Sequence, residues 1–148
     1  MSSNFLTAIH LMTYLAYKYN GNAVVTSDEL AATIQHNPVV VRRLVSKLRK
    51  AGLVDAVRGK NGGFRLGQPG SEICLLSVFT AIEGDGPDLF SLANMDKRTG
   101  CNPIADSIQH TLGDLLRQSL EEMKKDLATH SVSGVLETSL KRLNMPRC

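Results

Sequence analysis

The stretch from Thr26 to Leu66 constrains this chain more than any other part of it. Thr26-Ser27-Asp28-Glu29 has the form of a capping box, with Thr26 as the cap and Glu29 at the third helical position. Leu30, Ala31 and Ile34 give the short helix that follows an inner side, and His36 and Asn37 fall in a turn. Asn37-Pro38 opens a second helix. Asn caps it, and Pro takes the first position, where its missing N–H costs nothing. This helix is expected to run to about Ala51 and stop at Gly52. Val41, Leu44, Val45 and Leu48 form its buried stripe, while Val39, Arg42, Arg43, Ser46, Lys47 and Lys50 face the other way. Leu53 to Val57 then reads as a strand, and Phe64, Arg65 and Leu66 as its partner. The intervening Arg58-Gly59-Lys60-Asn61-Gly62-Gly63 is a turn, in which Asn61-Gly62 suits the tight mirror-image type. The pattern is that of a helix-turn-helix with a β-hairpin wing.

Charge gives this pattern a direction. From Pro38 to Arg65 there are eight Lys or Arg and one acid, Asp55. Residues 1–70 carry nine basic and three acidic side chains; residues 71–148 carry eight basic and eleven acidic. The whole-chain balance of +3 therefore hides a basic front and an acidic back. A polyanion is the natural partner of the front, and duplex nucleic acid fits a basic helix beside a basic hairpin. Ordinary surface charge would account for the helix alone, but not for the basic hairpin that follows it.

The flanks supply a core and a long helix. Phe5, Ala8, Ile9, Met12, Leu15, Ala16 and Tyr19 recur at helical spacing over residues 4–19, ended by Gly21 and Asn22. Beyond the Gln68-Pro69-Gly70 break, Leu75 to Glu83 reads as a helix ended by Gly84, and residues 88–101 carry no clear pattern. Asn102-Pro103 repeats the cap-then-proline signal and starts a helix expected to reach about Thr129. Ile104, Ile108, Leu112, Leu115, Ser119, Met123 and Leu127 recur near every three and a half residues, broadened by Leu116 and Leu120. A helix this long needs a partner surface, and a second copy of the chain is the simplest one. Val132, Val135, Leu136, Leu140 and Leu143 mark a last helix.

Other chemistries find little support. No run of 18 apolar residues spans a membrane, and Asn4, Thr7, His10 and Thr13 interrupt any signal-peptide pattern, so a cytoplasmic protein with reduced thiols is expected. Cys74, Cys101 and Cys148 form no CxxC, and His10, His36, His110 and His130 show no ligand spacing, so neither a metal site nor a cofactor is expected. No nucleophile motif is present, and the adjacent Glu121 and Glu122 do not face each other on a helix, so catalysis is not expected. The hairpin turn has no GxGxxG or Walker pattern. Cys74, between Ile73 and Leu75, is expected to be buried. Cys101 lies just ahead of a helix start, where the dipole can lower a thiol pKa, which makes it a candidate for redox sensing. A packed residue with no regulatory role is the alternative there.

The run from Val41 to Val54, the wing Arg58-Gly59-Lys60-Asn61-Gly62-Gly63-Phe64 and the Ala81-Ile82-Glu83-Gly84 ending together resemble the Rrf-type family of bacterial winged-helix transcriptional regulators. With the Cys101 region and the long helix, the resemblance covers nearly the whole chain. It implies a mainly α fold with a small β-hairpin, a winged helix-turn-helix head over residues 1–70, and a helical dimerisation and sensing region over residues 71–148. It also implies a homodimer on a palindromic DNA operator, usually as a repressor. Recognition helices would enter successive major grooves, and wings would reach the minor groove. On this reading Arg42, Arg43 and Lys47 meet base edges or phosphates, while Pro38, Val39 and Val40 stand at the helix start. Arg58 and Lys60 serve the wing, Lys50 and Arg65 meet phosphate, and Thr26 and Ser27 donate to phosphate. Cluster-binding members carry three cysteines at six-residue spacing before the long helix; here those positions are Leu89, Met95 and Cys101, so no iron–sulfur cluster is expected. A winged-helix module that binds protein without specific DNA binding remains the alternative, and an unidentified small-molecule partner stays open.

Overall fold

A computed structural model of the chain describes residues 3–19, 23–84 and 102–144. Its elements run α1 (Ser3–Lys18), α2 (Ser27–Ile34), α3 (Pro38–Lys50), β1 (Val54–Val57), β2 (Gly63–Leu66), α4 (Leu75–Glu83), α5 (Pro103–Leu127) and α6 (Val132–Leu143). The cap residues explain most of these boundaries. Thr26 Oγ1 accepts from the Glu29 backbone N–H at 3.2 Å, and Asn37 Oδ1 accepts from that of Val39 at 2.8 Å. Asn102 Oδ1 does the same for Ile104 at 3.2 Å, and Ser131 Oγ for Gly134 at 3.0 Å. Each bond satisfies an amide that the helix itself leaves without a partner. The Glu29 carboxylate turns away from Thr26, accepting from the Tyr14 hydroxyl at 2.8 Å and lying 3.6 Å from Lys18 Nζ. It thereby joins α2 to α1.

Between α2 and α3 the chain reverses at Gln35, whose φ of 51° is left-handed. No glycine or asparagine marks this position, so the sequence hid it. β1 and β2 pair antiparallel in the register Val54↔Leu66 to Val57↔Gly63, leaving residues 58–62 as the loop. The mirror-image turn expected at Asn61-Gly62 is not what forms. That turn needs positive φ at both central residues, and here the positive φ, 115°, belongs to Gly59. Gly62 N–H donates to the Gly59 carbonyl at 3.0 Å, so Lys60 and Asn61 occupy the tip. The loop is too long for the two-residue turn that the dipeptide favours. Gly63 is required for a different reason. Val25 exchanges two backbone hydrogen bonds with Phe64, at 2.7 and 2.8 Å, and a Cβ on Gly63 would sit 2.7 Å from the Val25 carbonyl oxygen.

One core holds these elements together. Leu11, Met12 and Leu15 of α1, Leu30 of α2, and Val41, Leu44, Val45 and Leu48 of α3 are all buried, as are Val78, Phe79 and Ile82 of α4. Phe5 and Phe79 meet edge to face with ring centres 5.2 Å apart. α6 packs along α1, and the start of α6 is stitched to the start of α4. Leu75 N–H donates to the His130 carbonyl and Val132 N–H to that of Ile73, both at 2.9 Å.

α5 joins the core only through its second half. Leu120 is buried, and Met123 and Leu127 pack against the core. Upstream, Ile104, Ile108, Leu112 and Leu115 remain 45–66% exposed, while Leu116 is half-buried. No described helix is long and apolar enough to cross a membrane.

Cys74 stands at the cap position of α4 and is half-buried, more open than its apolar neighbours suggested. Its Sγ lies 3.2 Å from Ser77 Oγ, and this hydrogen bond holds the thiol below its ordinary pKa.

Two outcomes follow from this packing. Leu120→Ala should cost about 2–5 kcal/mol in chemical denaturation, because it empties the one fully buried apolar position of α5; a loss below about 1 kcal/mol would mean α5 is not anchored there. Ser77→Ala should move the Cys74 thiol back up and slow its alkylation by iodoacetamide at about pH 8, read on the Cys74 peptide by mass spectrometry. An unchanged rate would show that Ser77 does not govern the thiolate.

Candidate nucleic-acid interface

The geometry of α3 follows from burying one of its faces. With Val41, Leu44, Val45 and Leu48 inward, helical spacing turns Val39, Arg43, Ser46 and Lys50 outward on one line. Arg42 and Arg49, seven positions apart, flank that line on one side, and Lys47 flanks it on the other. Pro38 is exposed, Val39 is 68% exposed, and Val40 is half-buried against the core. The hairpin carries Arg58 and Lys60 on its exposed loop and a half-buried Arg65 on β2.

The cations here divide into committed and uncommitted. Arg42 Nη2 lies 3.9 Å from Asp28 Oδ1 of α2. Lys47 Nζ donates to the Ile82 carbonyl at 3.0 Å, which ties α3 to the last turn of α4. That bond places a cation at the negative end of a helix. By contrast, Arg43, Arg49, Lys50, Arg58, Lys60 and Arg65 have neither an acidic partner nor a side-chain hydrogen bond among the described residues. Elsewhere the rule is pairing: Arg117 with Asp114, Lys124 with Glu121, Lys125 with Glu122 and Lys141 with Glu137, each on its own helix. Arg142 is the other unpaired cation among the described residues. Thr26 Oγ1 accepts one bond at the α2 cap and keeps its hydroxyl proton to donate, and Ser27 beside it is half-buried.

Two clefts border α3. One, of about 910 Å³, runs along α4 and is lined by Lys47, Lys50, Ser77, Thr80 and Glu83 among others. Glu83 Oε1 is buried there without a hydrogen-bond partner among the described residues. The other, of about 490 Å³, lies between α3 and the hairpin and is lined by Ser46, Arg49, Lys50, Val54, Asp55, Ala56 and Arg65. Arg49 was not singled out by the sequence pattern. Its signal was available, since it repeats Arg42 two turns on, but the cleft it enters is made by the hairpin.

The remaining sequence-predicted positions fall apart in space. Ile104, Ile108, Leu112 and Leu115 form an open apolar line, whereas Met123 and Leu127 sit on their own chain's core. Cys101 lies outside the described residues. Among the described residues, no group of three His, Cys, Asp or Glu could hold a metal ion. The segment ahead of α5 offers Cys101 as its single thiol, a donor set that does not fit a cysteine-ligated iron–sulfur cluster.

Comparison with known proteins agrees with this geometry. The Rrf2 family, described as iron-dependent transcriptional regulators, matches residues 1–138. YwnA of Bacillus subtilis (strain 168), assigned to the HTH-type transcriptional regulators, is 27% identical over 136 residues, covering 92% of this chain and 96% of its own. The crystal structure of a transcriptional regulator from Lactobacillus plantarum superposes with a TM-score of 0.74 at 28% identity, over 95% of this chain and 91% of that one. T. potens IscR shares the fold, with a TM-score of 0.73 at 18% identity, over 100% of this chain and 93% of that one. With a family match over residues 1–138 and a winged helix-turn-helix whose unpaired cations gather on α3 and the hairpin, the chain belongs to the Rrf2 family of transcriptional regulators.

Proposed function

We propose that the chain acts as a homodimer that binds a two-fold symmetric DNA operator and represses transcription from it. The observation that carries this reading is the segregation of unpaired cations. Six of them stand on α3 and the hairpin, while the basic residues of α5 are each held by an acid on the same helix. Leaving a cation unpaired on a crowded basic face forgoes local attraction, and a polyanionic partner supplies it on binding. In this reading Arg43 stands where base edges pass, with Val39 beside it for a thymine methyl. Pro38 and Val40 fix the start of α3, and Arg42 approaches the duplex from its flank. Arg58 and Lys60 reach the minor groove from the hairpin loop, and Thr26 and Ser27 meet phosphate. Lys47, bound to α4, acts by holding α3 in place.

Residues 71–148 supply the partner surface in this scheme, on a core shared with residues 1–70. Its support is the line of Ile104, Ile108, Leu112 and Leu115, which no described part of the chain covers. Such a line on the open half of a long helix matches an isologous contact with the same helix of a second copy. The half-buried Leu116 closes its edge. Cys101, just ahead of α5, remains the candidate thiol for a redox signal, and a small effector remains open.

Arg43→Ala should weaken operator binding by about 1–3 kcal/mol, and Arg117→Ala on α5 by far less, in a fluorescence titration. Equal affinities would remove Arg43 from the interface. Leu112→Glu should convert the dimer to a monomer in sedimentation at micromolar concentration, because it places a charge in the apolar line. A persistent dimer would place the interface elsewhere.

A further inference from the structure

We propose that the cleft between α3 and the hairpin is a seat for one backbone phosphate of duplex DNA, with Arg49 and Arg65 as its principal ligands. The inference rests on the DNA-binding reading and adds to it a site and two residues, Arg49 and Ser46, that the sequence pattern did not assign. The geometry requires something of this kind. If α3 lies in a major groove and the hairpin loop reaches the neighbouring minor groove, the sugar–phosphate strand dividing the two grooves passes between α3 and the hairpin. The space between them is this cleft, about 490 Å³ and open to solvent.

Its lining suits a phosphodiester. Three cations enter it, Arg49 and Lys50 from α3 and Arg65 from β2, and none has an acidic partner among the described residues. Two are arginines, whose planar forks match a pair of non-bridging phosphate oxygens. The Ser46 hydroxyl adds a donor from the exposed line of α3. Val54 and Ala56 contribute the hairpin wall, and neither side chain competes for the oxygens. Asp55, opposite Arg65 in the strand register, is the one acid in the cleft. It too has no ion pair among the described residues, so it leaves the arginine forks free for phosphate oxygens, although its charge offsets part of theirs on the Arg65 side. Arg49 repeats Arg42 two turns on, but the cleft that gives it a role exists only once the hairpin folds against α3.

The test uses the whole chain, a mixed-sequence duplex of about 30 base pairs and an operator duplex obtained by selecting genomic fragments with the protein, titrated across a salt series. Arg49→Gln should lower affinity for both duplexes by the same factor and reduce the salt slope by about one per cleft. Arg65→Gln, read in parallel, should do the same, and Arg142→Gln should change neither quantity. Replacing single phosphates of the operator by neutral methylphosphonates should reveal one position per half-site that weakens wild-type protein and leaves Arg49→Gln protein indifferent. An Arg49→Gln protein that keeps the wild-type slope, or loses affinity for the operator alone, overturns the phosphate seat while leaving DNA binding standing. Wild-type protein that binds neither duplex at any salt overturns the DNA-binding reading itself.

Discussion

The division of α3 into two faces governs the rest of the molecule. Val41, Leu44, Val45 and Leu48 are each nearly inaccessible to solvent, and no rotation of the helix can expose one of them without burying an arginine or lysine. Moving a charged side chain into that core would cost several kcal/mol, so the basic face is fixed outward by the apolar one. α2 and α4, with α1 behind them, supply the surfaces against which this happens, and the caps at Thr26 and Asn37 set where α2 and α3 begin. The presentation of Arg43, Ser46 and Lys50 is thus a consequence of core packing.

A second layer of control comes from polar ties that cross between elements. Lys47 links α3 to the end of α4, and Tyr14 and Lys18 link α1 to α2 through Glu29. The backbone bonds among Ile73, Leu75, His130 and Val132 bring the start of α6 back to the start of α4. Through Leu120, Met123 and Leu127 the long helix shares the same core, so the surface proposed for a second copy and the surface proposed for DNA are built on one packed unit. Geometry set by the dimer would therefore reach α3 without a flexible joint at α5.

Much of this was legible in the sequence, for identifiable reasons. Asn37-Pro38 and Asn102-Pro103 place their helix starts because a side-chain acceptor and a residue without an N–H solve the same local problem. Gly84 ends α4 where expected. What failed was whatever depended on distant partners. The hairpin loop takes its positive φ at Gly59, since the register set by Val54↔Leu66 leaves five residues to close. Lys47 reads as one more cation on a basic helix until α4, 35 residues later, offers its carbonyl. The apolar repeat of α5 is continuous in sequence, yet its second half belongs to the chain's own core and its first half to none of the described residues. Periodicity identifies a face; it does not say who covers it.

The central claim is that two copies of this basic face read a symmetric site. Selection of genomic fragments by the purified, reduced protein, followed by sequencing, tests it most directly. The account predicts enrichment of a two-fold symmetric sequence whose half-sites lie about one helical turn, or a small multiple of it, apart. Retention of fragments without any shared symmetric sequence, lost evenly as salt rises, would contradict it.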